Sequence, residues 1–286
     1  MPAQDDWVYS CPQCDHKQSD LQSLDLELST EERLHDLKAH EKLLPGRVDT
    51  LTKIFDQMRA LGWQGTAAHP ALDVGCASGF LLEPAREMGV HMVGVEADDI
   101  AVEAGRAKGR EIIQGFFPQA LEGSKYDAPG QISAILFLDV IGHFPTLDPS
   151  IRAVSRLLSE NGMMVIKTPI SSGFLYHTAR LLSRLGWSAP WQRVWQLGFG
   201  APQIHVFSDS SARELARRHG LDLVHAGRLP AWSFKGLYAR IHDNGRHSHI
   251  FSAAVWCALS CYILLSRLLP SDSGLYIFQK SKSPAS

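Results

Sequence analysis

The feature that most constrains this chain is the run Ala71-Leu72-Asp73-Val74-Gly75-Cys76-Ala77-Ser78-Gly79-Phe80-Leu81-Leu82, in which a short apolar stretch breaks into small residues and then turns helical. This predicts a strand, a tight turn and a helix start. Gly75 and Gly79 free the backbone for conformations that side chains oppose and let a ligand approach the main chain. In open α/β sheets such a turn lies at the carboxyl ends of the strands, where ligands bind. A dinucleotide fingerprint requires G-x-G-x-x-G, but counting from Gly75 places Ala77 and Phe80 at the second and third glycine positions. The spacing therefore disfavours a nicotinamide cofactor.

A second apolar run, Met92-Val93-Gly94-Val95-Glu96, ends in an acid one β-α-β step later, where a carboxylate can accept both hydroxyls of a ribose. Ile132 to Leu138 is continuously apolar, as in a strand buried on both faces, and leads into Asp139-Val140-Ile141-Gly142-His143-Phe144. Leu157 to Pro169 reads as a helix end, a turn and another strand. His205-Val206-Phe207-Ser208, a helix from about Ser210 to His219, and Gly220 to Val224 follow.

Together the D-x-G-x-A-x-G turn, the spaced Glu96, the Asp139 to His143 loop and the Thr168-Pro169 strand exit resemble class I S-adenosylmethionine-dependent methyltransferases, over about Leu72 to Val224 with a last strand near the C-terminus. The resemblance implies an α/β fold: a doubly wound, Rossmann-like seven-stranded sheet with its last strand antiparallel. It implies S-adenosylmethionine as cofactor, bound by Asp73, Gly75, Cys76, Ala77, Gly79, Glu96, Ala97, Asp139 and Val140. Gly75, Ala77 and Gly79 would lie against the methionine part, Asp73 would fix the loop or the amino group, and Glu96 would hold the ribose. His143 is the candidate base if the acceptor is a hydroxyl, because imidazole takes a proton near neutral pH; a loop-capping role is the alternative. Tyr176 and His205 are candidates to face the acceptor.

The sequence also departs from the family. Ile132-Ser133 replaces the aromatic-Asp pair that commonly opens the fourth strand, and Gln114-Gly115-Phe116 stands where an acid often binds the adenine amino group. In the resembling quinone O-methyltransferases an acid precedes the histidine and helps bind a metal, whereas here that residue is Gly142, so no metal is expected.

At 286 residues the chain is long enough for one α/β domain with additions. A formal net charge of -2 gives no field to hold a polyanion, so no nucleic-acid partner is expected. The five cysteines fit reduced thiols, and the acidic start Met1 to Asp6 lacks the pattern of a secretory signal, so a cytoplasmic protein is expected. Residues 1–28 carry Cys11-Pro12-Gln13-Cys14-Asp15-His16, a zinc-knuckle-like segment with half the ligands of a ribbon; His35 and His40 could complete a set. Residues 29–286 form the methyltransferase-like domain, with a core at 66–229, an insertion at 230–272 and a final strand at 273–281. Leading helices are expected between Thr30 and Leu61, where Leu34, Leu37, Leu51, Ile54, Phe55, Met58 and Leu61 recur at helical spacing.

Two apolar features remain. Tyr176, His177, Trp187, Trp191, Trp195 and Phe199, with interspersed arginines, predict either an acceptor pocket or lid above the strand ends or a local aromatic core. Ile250 to Leu265 is an apolar helix of roughly 24 Å, short of the roughly 30 Å hydrocarbon core, and a single span would strand the last strand across the bilayer. It is expected to make peripheral membrane contact aided by Lys235, Arg240 and Arg246, or else to pack on the domain or a second copy. These features favour a small, apolar or lipid-linked acceptor. A non-catalytic cofactor-binding module docked on a membrane complex, and a nicotinamide-dependent reductase, stay open as alternatives.

Overall fold

Alternation along the strands builds two cores, one on each face of a sheet. In a computed structural model, which describes residues 7–22, 30–65, 69–198, 200–229, 237–242, 248–265 and 269–281, the central strand β6 (Ile132–Leu138) sends Ile135 and Phe137 to one face and Ala134 and Leu136 to the other. The strands β3 (Ala71–Val74), β4 (Met92–Glu96), β5 (Ile112–Gln114), β7 (Leu158–Pro169), β9 (Leu221–Leu229) and β10 (Ser273–Lys280) complete a seven-stranded sheet in the order β5-β4-β3-β6-β7-β10-β9. Pairing is parallel from β5 through β7, while β10 runs antiparallel to both β7 and β9. The order reverses between β3 and β6, which is the topological switch point where such sheets open a crevice.

Helices cover both faces because the strands are apolar on both. On one side lie α2 (Leu44–Ala60), α3 (Leu82–Glu87) and α4 (Asp99–Arg106), which contribute Leu51, Ile54, Phe55, Met58, Leu82, Ala85 and Val102. On the other lie α5 (Asp148–Leu157) and α8 (Asp209–Arg217), which contribute Ile151, Val154, Leu157, Ala212 and Ala216. Asp98 starts α4 by accepting the Ala101 N–H at 2.8 Å, and a Ser208/Ser211 capping box starts α8. Ahead of them runs α1 (Thr30–Lys42), joined to α4 by Arg33, which meets Asp98 at 2.8 Å and also pairs with Asp99.

The expected turn between Leu157 and the strand falls inside the bounds of β7, which begins at Leu158 paired with Ile132; the chain folds back there, so that a Cβ on Gly162 would lie 3.0 Å from Ser159 N and O. The residues Ser159 to Gly162 are absorbed as a register shift, after which Met163 pairs with Ala134.

The amino-terminal segment folds as a hairpin, β1 (Val8–Ser10) and β2 (Lys17–Ser19), whose second strand pairs with β8 (His205–Val206) to form a separate three-stranded sheet. Trp7 and Val8 pack with Tyr176, Ala179, Trp191, Trp195 and Val206, so the hairpin shares a small aromatic core with α6 (Phe174–Arg184) and α7 (Ala189–Val194). The expected boundary near residue 28 falls outside the described residues. Between β9 and β10 come α9 (Leu237–Ile241) and α10 (His249–Leu265), the expected apolar insertion. Among the described residues no helix is long and apolar enough to cross a membrane.

Candidate functional site

The turn after β3 holds three residues with positive φ in close succession: Gly75 at 73°, Ala77 at 50° and Gly79 at 67°. Such a path turns the backbone of Gly75 to Gly79 sharply at the carboxyl end of β3. Gly75 is constrained twice, since a Cβ there would also come within 2.9 Å of the Val140 side chain. That contact joins the turn to the loop after β6. The turn is braced from outside by Arg110, which donates to the Ser78 carbonyl at 2.8 Å, and the Cys76 thiol is buried beside Gly94.

Glu96 ends β4 half-buried, and its carboxylate receives three main-chain N–H groups: Ala77 at 2.8 Å on Oε2, and Ala97 and Asp98 at 2.8 and 2.9 Å on Oε1. One acid thus ties the turn after β3 to the turn after β4. Burial raises its pKa, and the three N–H groups pull the other way. Each carboxylate oxygen has two acceptor positions, so capacity remains for a ligand hydroxyl.

Asp73 lies beneath the turn, 3% exposed, and burial pushes its carboxyl up to about 7, opposed by Arg47 and reinforced by the charge of Glu96. A buried carboxyl of this kind is matched to a cationic ligand group, which would draw off its proton. Arg47, at the start of α2, carries its guanidinium 4.9 Å from the Phe80 ring centroid. Sequence reading missed Arg47, because the helix that brings it to Asp73 is not neighbouring sequence. It also missed Lys167, whose ammonium lies 2.5 Å from Asp139 across the β6–β7 edge. Asp139 itself is exposed with φ at 64°, and its N–H is bound to the Lys167 carbonyl at 2.8 Å.

His143 sits in a single 3-10 turn, Ile141–His143, with Nδ1 2.8 Å from the Pro202 carbonyl. A carbonyl only accepts, so Nδ1 carries the proton and Nε2 of the neutral ring is the acceptor. Burial holds its pKa below the usual histidine value, against the pull of the Pro202 carbonyl and Asp139. Gly142 has a steric reason for being glycine: a Cβ would lie 2.8 Å from both Gln203 Cδ and the His205 carbonyl. The segment from Pro202 to His205 is therefore laid directly over this loop, with the Ile204 N–H on the Gly142 carbonyl at 2.7 Å.

That packing corrects two expectations. His205 is 4% exposed, and its Nδ1 lies 3.0 Å from His16 Nε2 of the amino-terminal hairpin. Burial pushes both rings down to about 4, so the pair is neutral at pH 7 and joins the hairpin turn to β8 instead of facing a ligand. Tyr176 is also 4% exposed, with its ring centroid 5.1 Å from that of Trp191, inside the aromatic core. The aromatic insertion is that core; Trp187 alone of its described tryptophans is exposed, and Phe199 lies outside the described residues. In the knuckle-like turn the Cys11 thiol donates to Gln13 Oε1 at 3.1 Å, and no group of three or more potential metal ligands forms among the described residues. The side chains of His35 and His40 lie outside those described.

The seven-stranded sheet with antiparallel β10, the glycine turn and the acid that closes β4 agree with what the chain resembles. A model of the methyltransferase domain family matches residues 47–226. The chain belongs to this family. Its curated relatives include the ubiquinone biosynthesis O-methyltransferases of Caulobacter sp. (strain K31), 27% identical over 34% of this chain and 39% of the relative, and of Pelagibacter ubique (strain HTCC1062), 30% identical over 34% and 40%. The chain thus spans about two fifths of the length of these relatives. Among solved structures, the cyclopropane synthase MmaA2 from Mycobacterium tuberculosis superposes with a TM-score of 0.56 at 16% identity, over 80% of this chain and 84% of that one. The mycolic acid cyclopropane synthase CmaA1, complexed with SAH and CTAB, gives 0.54 at 18% identity, over 79% and 84%. The cofactor of this methyltransferase is S-adenosylmethionine. The site fits it: the turn is a cradle with no room for a further side chain at Gly75, Glu96 Oε2 keeps one acceptor position for a hydroxyl, and Asp73 is a buried carboxyl beside it.

Proposed function

We propose that this methyltransferase methylates a hydroxyl of a small, apolar or lipid-linked acceptor. The observation that carries the reading is the contact of Gly75 with Val140, which sets the cofactor turn directly against the loop bearing His143. When bound, the cofactor supplies an electrophilic sulfonium methyl. Gly75, Cys76, Ala77 and Gly79 would bed its methionine part, Asp73 and Arg47 would meet its ammonium and carboxylate, and Glu96 with the Ala97 backbone would hold its ribose. Asp139 and Val140 would border the transfer site.

The task left to the protein is alignment and the exclusion of water. His143 is suited to take the acceptor's proton, because the Pro202 carbonyl fixes its protonated nitrogen and burial keeps the ring neutral near pH 7. Lys167 holds Asp139 and adds positive charge where the acceptor oxygen becomes anionic. The relatives named as ubiquinone biosynthesis O-methyltransferases support an acceptor with an apolar tail. Incubating the protein with methyl-labelled S-adenosylmethionine and a cell extract tests the reading. Label should enter the solvent-extractable lipid fraction in base-stable linkage; label confined to the aqueous fraction would refute the lipid-linked acceptor.

A further inference from the structure

We infer that α10 lies along an anionic lipid surface, and that α9 and α1 connect this docked helix to the cofactor cleft. The inference rests on the apolar acceptor proposed above, and adds how such an acceptor reaches the site.

From His249 to Leu265 no residue is charged, yet among its described side chains several apolar ones are exposed: Ile250 is 85%, Phe251 51% and Trp256 37% exposed. Ala253, Ala254 and Cys257 are exposed with them. At 3.6 residues per turn these positions sweep an arc of roughly 220°, from Trp256 through Ile250 to Phe251, which also takes in the partly exposed Ser260. The remaining arc holds Ser252 and Ile263, both buried. One helix packing on a protein uses a stripe of roughly 100°. An apolar arc twice as wide is matched by a surrounding medium, not by a single groove or by a second copy of the helix. At 17 residues the helix is about 25 Å long, shorter than a bilayer core, so it lies in the interface.

The charges that flank it in the sequence choose the lipid. Between residues 230 and 272 the sequence carries Lys235, Arg240, Arg246 and Arg267 against Asp243 and Asp272, an excess of positive charge suited to anionic head groups. The side chains of the four basic residues lie outside those described.

The helix is tied to the enzyme through aromatic and histidine rings. Tyr238 stacks on His242 with centroids 5.7 Å apart, His242 stacks on His249 at 4.0 Å, and His242 Nδ1 lies 3.1 Å from the buried Ser252 hydroxyl. Leu237 is buried, and α9 packs on α1. In turn α1 is clamped by Arg33 to Asp98, whose N–H binds Glu96. A lipid surface under α10 is thereby a short, packed path from the ribose-binding acid.

The test is sedimentation of the full chain with vesicles of phosphatidylcholine alone or with added phosphatidylglycerol. The wild type should sediment with the anionic vesicles, and the variant F251D/W256D should bind them about tenfold less or weaker still. Both residues are exposed, so circular dichroism should be unchanged, and calorimetry with S-adenosylhomocysteine should give wild-type affinity. Failure of the wild type to sediment, equal sedimentation with both vesicle types, or equal binding by the variant would overturn the inference. So would a dimer of the wild type that the variant converts to monomer. Absence of S-adenosylhomocysteine binding in the wild type would instead remove the methyl-transfer reading, whatever the vesicles show.

Discussion

Asp73 offers the sharpest test of how the site engages its cofactor, because its proton should leave when the ligand arrives. Its carboxyl is fully enclosed and pushed up to about 7, so near pH 7 about half the molecules carry the proton. An ammonium group placed beside it favours the ionised form by about 1 to 3 pH units. Binding of S-adenosylhomocysteine should therefore release about 0.4 to 0.5 proton at pH 7 and about 0.4 to 0.9 at pH 6, and affinity should fall about three- to fivefold from pH 7 to pH 6. Calorimetry in buffers of different ionisation enthalpy reads the released protons directly. Asp73→Asn should abolish both the release and this pH dependence. The sign for stability follows from the same shift. The folded-state value lies above the ordinary 3.8, so the group's contribution is full below about 3.8 and is lost as pH rises through about 7, an upper bound of about 4 kcal/mol. Asp73→Asn should thus melt higher than the wild type at pH 8 in the absence of cofactor. Zero proton release at pH 6 with pH-independent affinity would refute the argument and leave Asp73 a purely structural brace.

Glu96→Ala should weaken S-adenosylhomocysteine binding by about 1 to 3 kcal/mol in the same calorimetric assay, since it frees three N–H groups as well as removing the ribose acceptor. Gly142→Ala should cost about 1 to 3 kcal/mol of stability in thermal denaturation, because its Cβ would displace Gln203 and the His205 carbonyl. His143→Ala should lower turnover about a hundredfold or more with little change in cofactor affinity, once labelling has supplied an acceptor; turnover within a few-fold of wild type would make it a loop-capping residue. Trp191→Ala should cost about 3 to 5 kcal/mol, read from denaturant unfolding, while leaving cofactor affinity intact, as expected of a core residue and not of a pocket wall.

The sequence by itself determined the parts of the protein whose physics is local. The turn from Gly75 to Gly79, the acid closing β4, the apolar β6, the helices before β3 and the last strand from Ser273 are each written in residue period or turn chemistry within a few positions. The cofactor follows from those elements, because the turn and Glu96 come from successive β-α units whose spacing is set by the chain itself. Tertiary structure decided what distant residues share. It carried the hairpin bearing His16 onto β8, which turned His205 and Tyr176 from candidate pocket residues into buried partners, and it laid the segment from Pro202 to His205 over Gly142. It also paired Lys167 with Asp139 and set the Arg47 charge near enough to lower the Asp73 pKa, relations that no periodicity could announce. The aromatic run between Tyr176 and Trp195 was compatible with a lid or a core, since both need large apolar side chains. Only the arrival of Trp7 and Val206 from remote positions made it a core, because burial is a property of the surroundings and not of the segment.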